Sequence, residues 1–506
     1  MNNKTLDQLI TSALEECGLS PKEIAEVSPK IKEYAEFIDA KEDSTFWNFK
    51  QKIETLVKKF QEHGLTLEQY LQAALKQPPL FYQSPNTIYN NITQTVQKFQ
   101  KQELTTKQYL QAALKQPPLF YQSPNTIYNN ITQLTKKFQQ QGLTTEQYLQ
   151  AALKRPQLFS QSPETIYNNI TQITKKFQKQ GLTTEQYLQA ALKQPQLFSQ
   201  SPETIYNNIT QLVKKFQEQK LTLEQYLKAA LKQPQLFYQS PNTIHNNITQ
   251  TVQKFQKQEL TLEQYLQAAL KQPTLFAQKP ETIYNNITQT VQKFQKQKLT
   301  LEQYLKAALK KPQLFYQSPN TIHNNITQTV QKFQKQKLTT EQYLKAALKQ
   351  PQLFYQSPNT IHNNITQLTK KFQKQGLTTK QYLQAALKTP SLFSQSPKAI
   401  RRHIRWIQSL NYLGIIKISE RYKAEAEKEG IEPALYWAIN NPFYVSLGED
   451  NFKLRWCYAK LLNKPAQLFN LTKSKRKIQQ ELEKVFNTYD VDELRKIYKE
   501  YKKARS

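Results

Sequence analysis

The sequence predicts an all-α fold, an α-solenoid or superhelix of 39-residue two-helix repeats, and three observations predict it. The pair Leu-Phe recurs at a constant spacing of 39 residues: Leu80-Phe81, Leu119-Phe120, Leu158-Phe159, Leu197-Phe198, Leu236-Phe237, Leu275-Phe276, Leu314-Phe315, Leu353-Phe354 and Leu392-Phe393. Each interval holds two helix signals separated by a proline. A lone helix pair cannot bury both of its apolar stripes, whereas stacked pairs can. Right-handed stacking is expected as the commoner outcome for helix pairs.

The second copy gives the elements in order. Thr105, with Gln108 three positions on, reads as a capping box. Leu110, Ala113 and Leu114 follow at helical spacing as the apolar face of the first helix. Pro117 stops that helix. Pro118-Leu119-Phe120 reads as one short 3-10 turn. Ser123 as N-cap and Pro124 at the first helical position start the second helix. Its stripe is Ile127, Ile131, Leu134 and Phe138, and Gly142 closes it. Glu103 and Lys220 stand in the glycine's place elsewhere, so glycine helps there and is not required.

The flanks depart from this pattern. Residues 1–64 hold helical spacings such as Leu6, Leu9, Ile10 and Leu14 outside the repeat register, and are expected to form a divergent acidic cap on an array spanning 65–400. From about Lys398 the repeat decays, with Arg401-Arg402-His403-Ile404-Arg405-Trp406 replacing the second-helix face. Ala434-Leu435 to Asn441-Pro442-Phe443, and Leu462 to Leu468-Phe469, read as two worn copies of the helix-proline-Leu-Phe step. Residues 473–506 are expected to end in one amphipathic helix, so that 401–506 forms degenerate repeats and a basic cap.

The 506 residues are 38% hydrophobic and rich in Gln, Asn and Lys. That polarity alone would suit disorder, but the regular Leu, Ile, Tyr and Phe positions give each repeat apolar surface to pack on its neighbour. The net charge is +32, and residues 1–64 sum to −3, so the cationic field belongs to the rest of the chain. Such an excess favours polyanions, with nucleic acid ahead of an anionic membrane surface. Cys17 and Cys457, the 2 cysteines, offer neither a disulfide framework nor metal-ligand spacing. No apolar run is long enough to span a membrane. Met1 to Leu6 shows neither a signal-peptide core nor an Arg-rich transit pattern, so a cytoplasmic, nucleoid or nuclear location is expected. With 5 His, no His/Cys cluster, no Gly-rich phosphate loop and no serine-nucleophile motif, neither enzymatic activity nor a cofactor or metal is expected.

Three sets of repeated positions are candidates for binding. One lysine column ends the first helices: Lys76, Lys115, Lys154, Lys193, Lys232, Lys271, Lys310, Lys349 and Lys388. Another ends the second helices: Lys59, then Lys98, Lys137, Lys176, Lys215, Lys254, Lys293, Lys332 and Lys371. Stacking would turn each into a line of positive charge matching a phosphate backbone. A lysine at a helix C-terminus also complements the helix dipole, so both roles stay open.

The second set is an Asn pair in mid-helix, from Asn90-Asn91 to Asn363-Asn364, at a position where Asn is a poor helix former. It either contacts a ligand or forms a ladder between repeats. The third set varies. Tyr82, Tyr121, Tyr238, Tyr316 and Tyr355 go with Asn86, Asn125, Asn242, Asn320 and Asn359, while Ser160, Ser199 and Ala277 go with Glu164, Glu203 and Glu281, and Ser394 goes with Lys398. Three positions beyond the Asn or Glu stands Tyr89 and its equivalents, replaced by His245, His323, His362 and Arg401. Linked variation among otherwise fixed copies is what a base readout with one unit per repeat needs. Duplication of whole blocks produces the same linkage.

The step from Gly181-Leu182-Thr183-Thr184-Glu185 through Pro195-Gln196-Leu197-Phe198-Ser199-Gln200-Ser201-Pro202-Glu203-Thr204-Ile205 resembles the repeat of mitochondrial transcription termination factors (mTERF). The resemblance covers about residues 60–400, and implies two helices and a 3-10 turn per unit with a basic groove that binds duplex DNA or RNA. The period here is longer and strictly constant, and the copies are near-identical. In that respect, and in opening most units with Leu-Thr-x-Glu-Gln, the chain is also similar to transcription-activator-like modular DNA-binding arrays. The expected partner is therefore a nucleic acid, DNA ahead of RNA, bound by a monomer. An acidic protein held by a helical-repeat scaffold is the alternative.

Overall fold

The computed structural model describes residues 5–40, 43–412, 418–446, 449–461 and 475–503, and among these residues there is helix and no strand. The architecture is an all-α solenoid. The chain divides into two compact units, residues 1–246 and 247–506.

Within the first unit, the copy from Leu143 to Gly181 shows how sequence becomes repeat. The Thr144 hydroxyl accepts a hydrogen bond from the backbone amide of Gln147, whose side-chain oxygen accepts one from the Thr144 amide, and the helix Thr145–Lys154 follows. Pro156–Phe159 forms the 3-10 turn, with Leu158 and Phe159 fully buried. The second helix, Pro163–Lys176, buries Ile166, Ile170 and Ile173. Phe177 closes it. A second 3-10 turn, Gln178–Gln180, absent from the sequence reading, then leads to Gly181 at φ +80°. The glycine thus ends that turn, not the helix. Where glycine is missing, Glu103 and Lys220 adopt the same left-handed backbone at φ +59° and +58°.

Two local expectations need correction. Ser123 precedes Pro124 as expected, but its side chain caps nothing. Lys279 fills the same position in the second unit, so the proline, with its fixed φ, sets the start. The first-helix stripe is also wider than Leu110, Ala113 and Leu114. Tyr109, Leu110, Ala112 and Ala113 are buried while Leu114 is only half-buried, because this helix packs on its own turn and on neighbouring repeats.

The second-helix position that the sequence assigns to Lys59 falls within residues 1–64. In the segment expected to be a divergent cap, the helix Phe49–Lys59 buries Phe49, Ile53 and Leu56 and ends at Phe60, as the second helix of a repeat does. The helices Leu6–Glu16 and Pro21–Phe37 precede it.

In the second unit the same repeat continues to Pro397–Tyr412, a second helix that buries Ile400, Ile404 and Ile407. Beyond the helix Glu420–Lys428, the first worn copy folds as Pro433–Asn440 followed by the short helix Pro442–Ser446. The second worn copy, Leu462 to Phe469, lies outside the described residues. The tail forms two helices, Lys475–Phe486 and Val491–Lys503, where one was expected. Asn487, at φ +56°, ends the first, and the carboxylate of Asp490 accepts the amides of Asp492 and Glu493 to start the second. Both pack with Glu449–Leu461 around Leu454, Cys457, Tyr458, Ile478, Leu482 and Leu494.

Candidate nucleic-acid interface

The first lysine column is placed by the proline that stops each first helix. In the first unit Lys76, Lys115, Lys154, Lys193 and Lys232 are each the last residue of that helix, and in the second unit so are Lys271, Lys310, Lys349 and Lys388. All are exposed, and none is ion-paired among the described residues. The next residue is engaged instead: the amides of Gln77 and Gln194 donate to the hydroxyls of Tyr121 and Tyr238 in the following repeat at 2.6 and 2.7 Å.

The second column sits differently. Lys59, Lys98, Lys137 and Lys176 in the first unit lie over the rings of Tyr89, Tyr128, Tyr167 and Tyr206, 4.6 to 5.1 Å from the centroids, and Lys254 in the second unit lies 5.2 Å from that of Tyr284. Lys137, Lys176 and Lys254 also pair with Glu164, Glu203 and Glu281 at 2.8, 2.8 and 2.9 Å. The hydrogen bond from Lys254 holds the Glu281 carboxyl below its ordinary range. Where histidine replaces tyrosine, the ring still rests on the preceding phenylalanine: Phe216 on His245 in the first unit, and Phe294 on His323 and Phe333 on His362 in the second.

The linked variation now has a mechanical account. In Tyr-Asn copies, Tyr121 and Tyr238 reach the preceding repeat through glutamine, while Asn86, Asn125, Asn242, Asn320 and Asn359 remain exposed. In Ser copies, the hydroxyls of Ser160 and Ser199 bond within their own turn, to the carbonyls of Gln157 and Gln196, and Glu164 and Glu203 tie back to the lysines. The Ala277 copy likewise relies on Glu281. The tyrosine tie is present at Tyr121 and Tyr238, and the acid tie at Glu164, Glu203 and Glu281.

The Asn pair divides its roles. The first Asn is exposed in every copy and the second half-buried. The amide of Asn208 donates to the Tyr238 carbonyl at 3.2 Å. At the equivalent position Lys52 donates to Tyr82 O at 3.3 Å, and in the second unit His403 Nδ1 donates to Val445 O at 2.8 Å. Asn208 and Lys52 thus make the same inter-repeat bond, and His403 makes a similar one. The first Asn stays turned to solvent.

Sequence reasoning missed a tyrosine column. The hydroxyls of Tyr109, Tyr148 and Tyr187 donate to Leu119, Leu158 and Leu197 carbonyls at 3.1 to 3.2 Å, and their rings meet Phe159, Phe198 and Phe237 of the next repeat edge-on at 5.2 to 5.5 Å. Burial pushes these phenols well above their ordinary pKa.

Residues 48–226 match the family model mTERF. The repeat is mTERF-like. The match starts beside Phe49, where the structure places the first helix in register, and ends at Tyr226 in the column just described. None of the curated proteins compared with the chain matches it significantly.

Past the matched segment, the mTERF-like register carries one anomalous junction. Lys370 and Lys371 share an open cleft of about 600 Å3 with Lys398 and Arg401, bounded by Gln367, Leu368 and Pro397. Lys398 and Arg401 stand where Glu281 and Tyr284 stand elsewhere. Among the described residues no group of His, Cys, Asp and Glu could hold a metal ion, and no helix is long and apolar enough to cross a membrane.

Proposed function

We propose that this mTERF-like chain is a modular, non-catalytic nucleic-acid-binding protein that takes duplex DNA in preference to RNA and acts as a monomer. The carrying observation is the first lysine column, exposed and without ion pairs at every 39-residue step. A periodic row of point charges suits a polyphosphate backbone and carries no sequence information itself. The exposed first Asn of each pair, with Asn86, Asn125, Asn242, Asn320 and Asn359, supplies groups able to contact base edges. In the second lysine column, Lys59, Lys98, Lys137, Lys176 and Lys254 are engaged by rings or acids and contribute less unless a ligand displaces them.

Affinity measured against salt tests this. If about nine phosphates are neutralised, log affinity falls against log salt with a slope of about −8 for duplex DNA and about −6 for a single strand. Changing Lys193, Lys232 and Lys271 to Gln should flatten the slope by up to about three units, with equal loss on all sequences. Changing Asn242 and His245 should alter which sequences bind. Absence of binding near about 50 mM salt, or binding indifferent to salt, sinks the reading. Competition by an acidic peptide as effective as that by every duplex would transfer the role to an acidic protein partner.

A further inference from the structure

The mTERF-like junctions put an acid or a neutral residue opposite the second-helix lysine until Lys398. Lys59, Lys98, Lys137, Lys176 and Lys254, each ending a second helix, meet a tyrosine ring in the next repeat, and the last three also meet an acid, while Lys215, Lys293 and Lys332 precede repeats with Asn and His at those positions, so that none of these junctions places a second cation there. Lys371 instead lines one cleft with Lys370, Lys398 and Arg401, and none of the four is ion-paired among the described residues. Lys398 in place of Asn or Glu, with Arg401 in place of the ring, puts four cations around one cleft. Like charges so placed repel one another and raise the local affinity for a multivalent anion. The cleft also includes Pro397 and Lys398, the first residues of the 16-residue helix Pro397–Tyr412, whose N-terminal end adds positive potential. Arg401 offers a planar fork matched to phosphate oxygens, and the lysines offer point charges.

We propose that this cleft binds a phosphate group and anchors a polynucleotide there. The anion site stands on the cleft alone, while the polynucleotide as the source of its phosphate rests on the function proposed above. That phosphate is either a terminal monoester or an internal diester.

The test uses the full chain and the double variant Lys398→Glu with Arg401→Tyr. That variant restores the pair found at Glu164 and Tyr167, so the array itself provides the precedent for its folding. In calorimetric titration with inorganic pyrophosphate, the unaltered chain should bind, and the variant should bind roughly tenfold or more weakly, as expected for losing charged hydrogen-bond donors. Equal binding by both, or binding by neither, overturns the site. A second arm compares a terminally phosphorylated oligonucleotide with its hydroxyl-ended twin. A preference for the phosphorylated end that the variant abolishes assigns a terminal monoester. Equal affinity for both ends, weakened by the variant, assigns an internal diester. If pyrophosphate binds the cleft but neither oligonucleotide does, the nucleic-acid reading and the anchor fail, and the anion site survives.

Discussion

The buried hydroxyl of Tyr187 bonds to the Leu197 carbonyl at 3.2 Å while its ring edge meets Phe237 at 5.4 Å, so one side chain closes its own repeat and seats the next. Tyr187→Phe should keep the ring contact, strand the carbonyl and cost about 1 kcal/mol in urea denaturation. Tyr187→Ala should cost about 3–5 kcal/mol, as large buried side chains do. A phenylalanine variant as unstable as the alanine one would refute this division of labour. At Glu203 the expectation is reversed. Its carboxylate is 62% exposed, so Glu203→Gln should change stability by only about 0.5 kcal/mol or less. With Glu164→Gln and Glu281→Gln it should free Lys137, Lys176 and Lys254, tightening DNA binding and steepening the salt slope by up to about three units. Unchanged affinity in the triple variant would show that the second column stays off the ligand. The lysines were legible in the sequence as columns, but their difference in availability was not. It depends on side chains a repeat away, and the tyrosine escaped notice because its polar tip hides a role that is mostly apolar.

Within each element, the signals that act through the backbone were the most legible. The threonine capping boxes and helix-stopping prolines fall where the sequence places them, since each acts on its own turn. Ser123 misled because proline starts the helix without its hydroxyl, although Ser201 and Ser396 do cap theirs, and the extra turn after the second helices escaped because polar Gln runs lack periodicity. That turn ends in left-handed backbone, held by Glu103, Lys220, Glu259, Lys298 and Lys337 where glycine is missing. Lys298→Gly should therefore stabilise by about 0.5 kcal/mol, relief of left-handed strain outweighing the entropy glycine adds to the unfolded chain. The converse, Gly181→Ala, should cost about 1 kcal/mol, since open space surrounds it. Gly376→Ala is different in kind, because its Cβ would sit 1.9 Å from the Gly430 carbonyl oxygen at the end of Glu420–Lys428. It should cost about 3 kcal/mol through displaced backbone. Equal melting shifts for the two alanine variants would contradict that close approach.

At the scale of the whole molecule, near-identical repeats make stability and charge accumulate step by step. Within the second unit the repeats pack through the same tyrosine-phenylalanine contact and the same turn, so their interfaces are nearly alike. Removing residues 300–338, one full period inside the second unit, rejoins Leu299 to Thr339 where Leu338 stood before, and every cap and contact position keeps its register. A solenoid governed by nearest-neighbour terms should then fold and lose stability only in proportion. The same deletion removes one exposed first-column lysine, Lys310, and one second-column lysine, Lys332. If only the first column tracks phosphate, the salt slope should flatten by about one unit; if both do, by about two. The shortened chain thus reports on architecture and binding in separate measurements. Collapse of folding would mean that the repeats are not equivalent. Intact folding with an unchanged slope would mean that the lysines at this step lie away from the ligand, because counterion release cannot stay constant when phosphate contacts are removed.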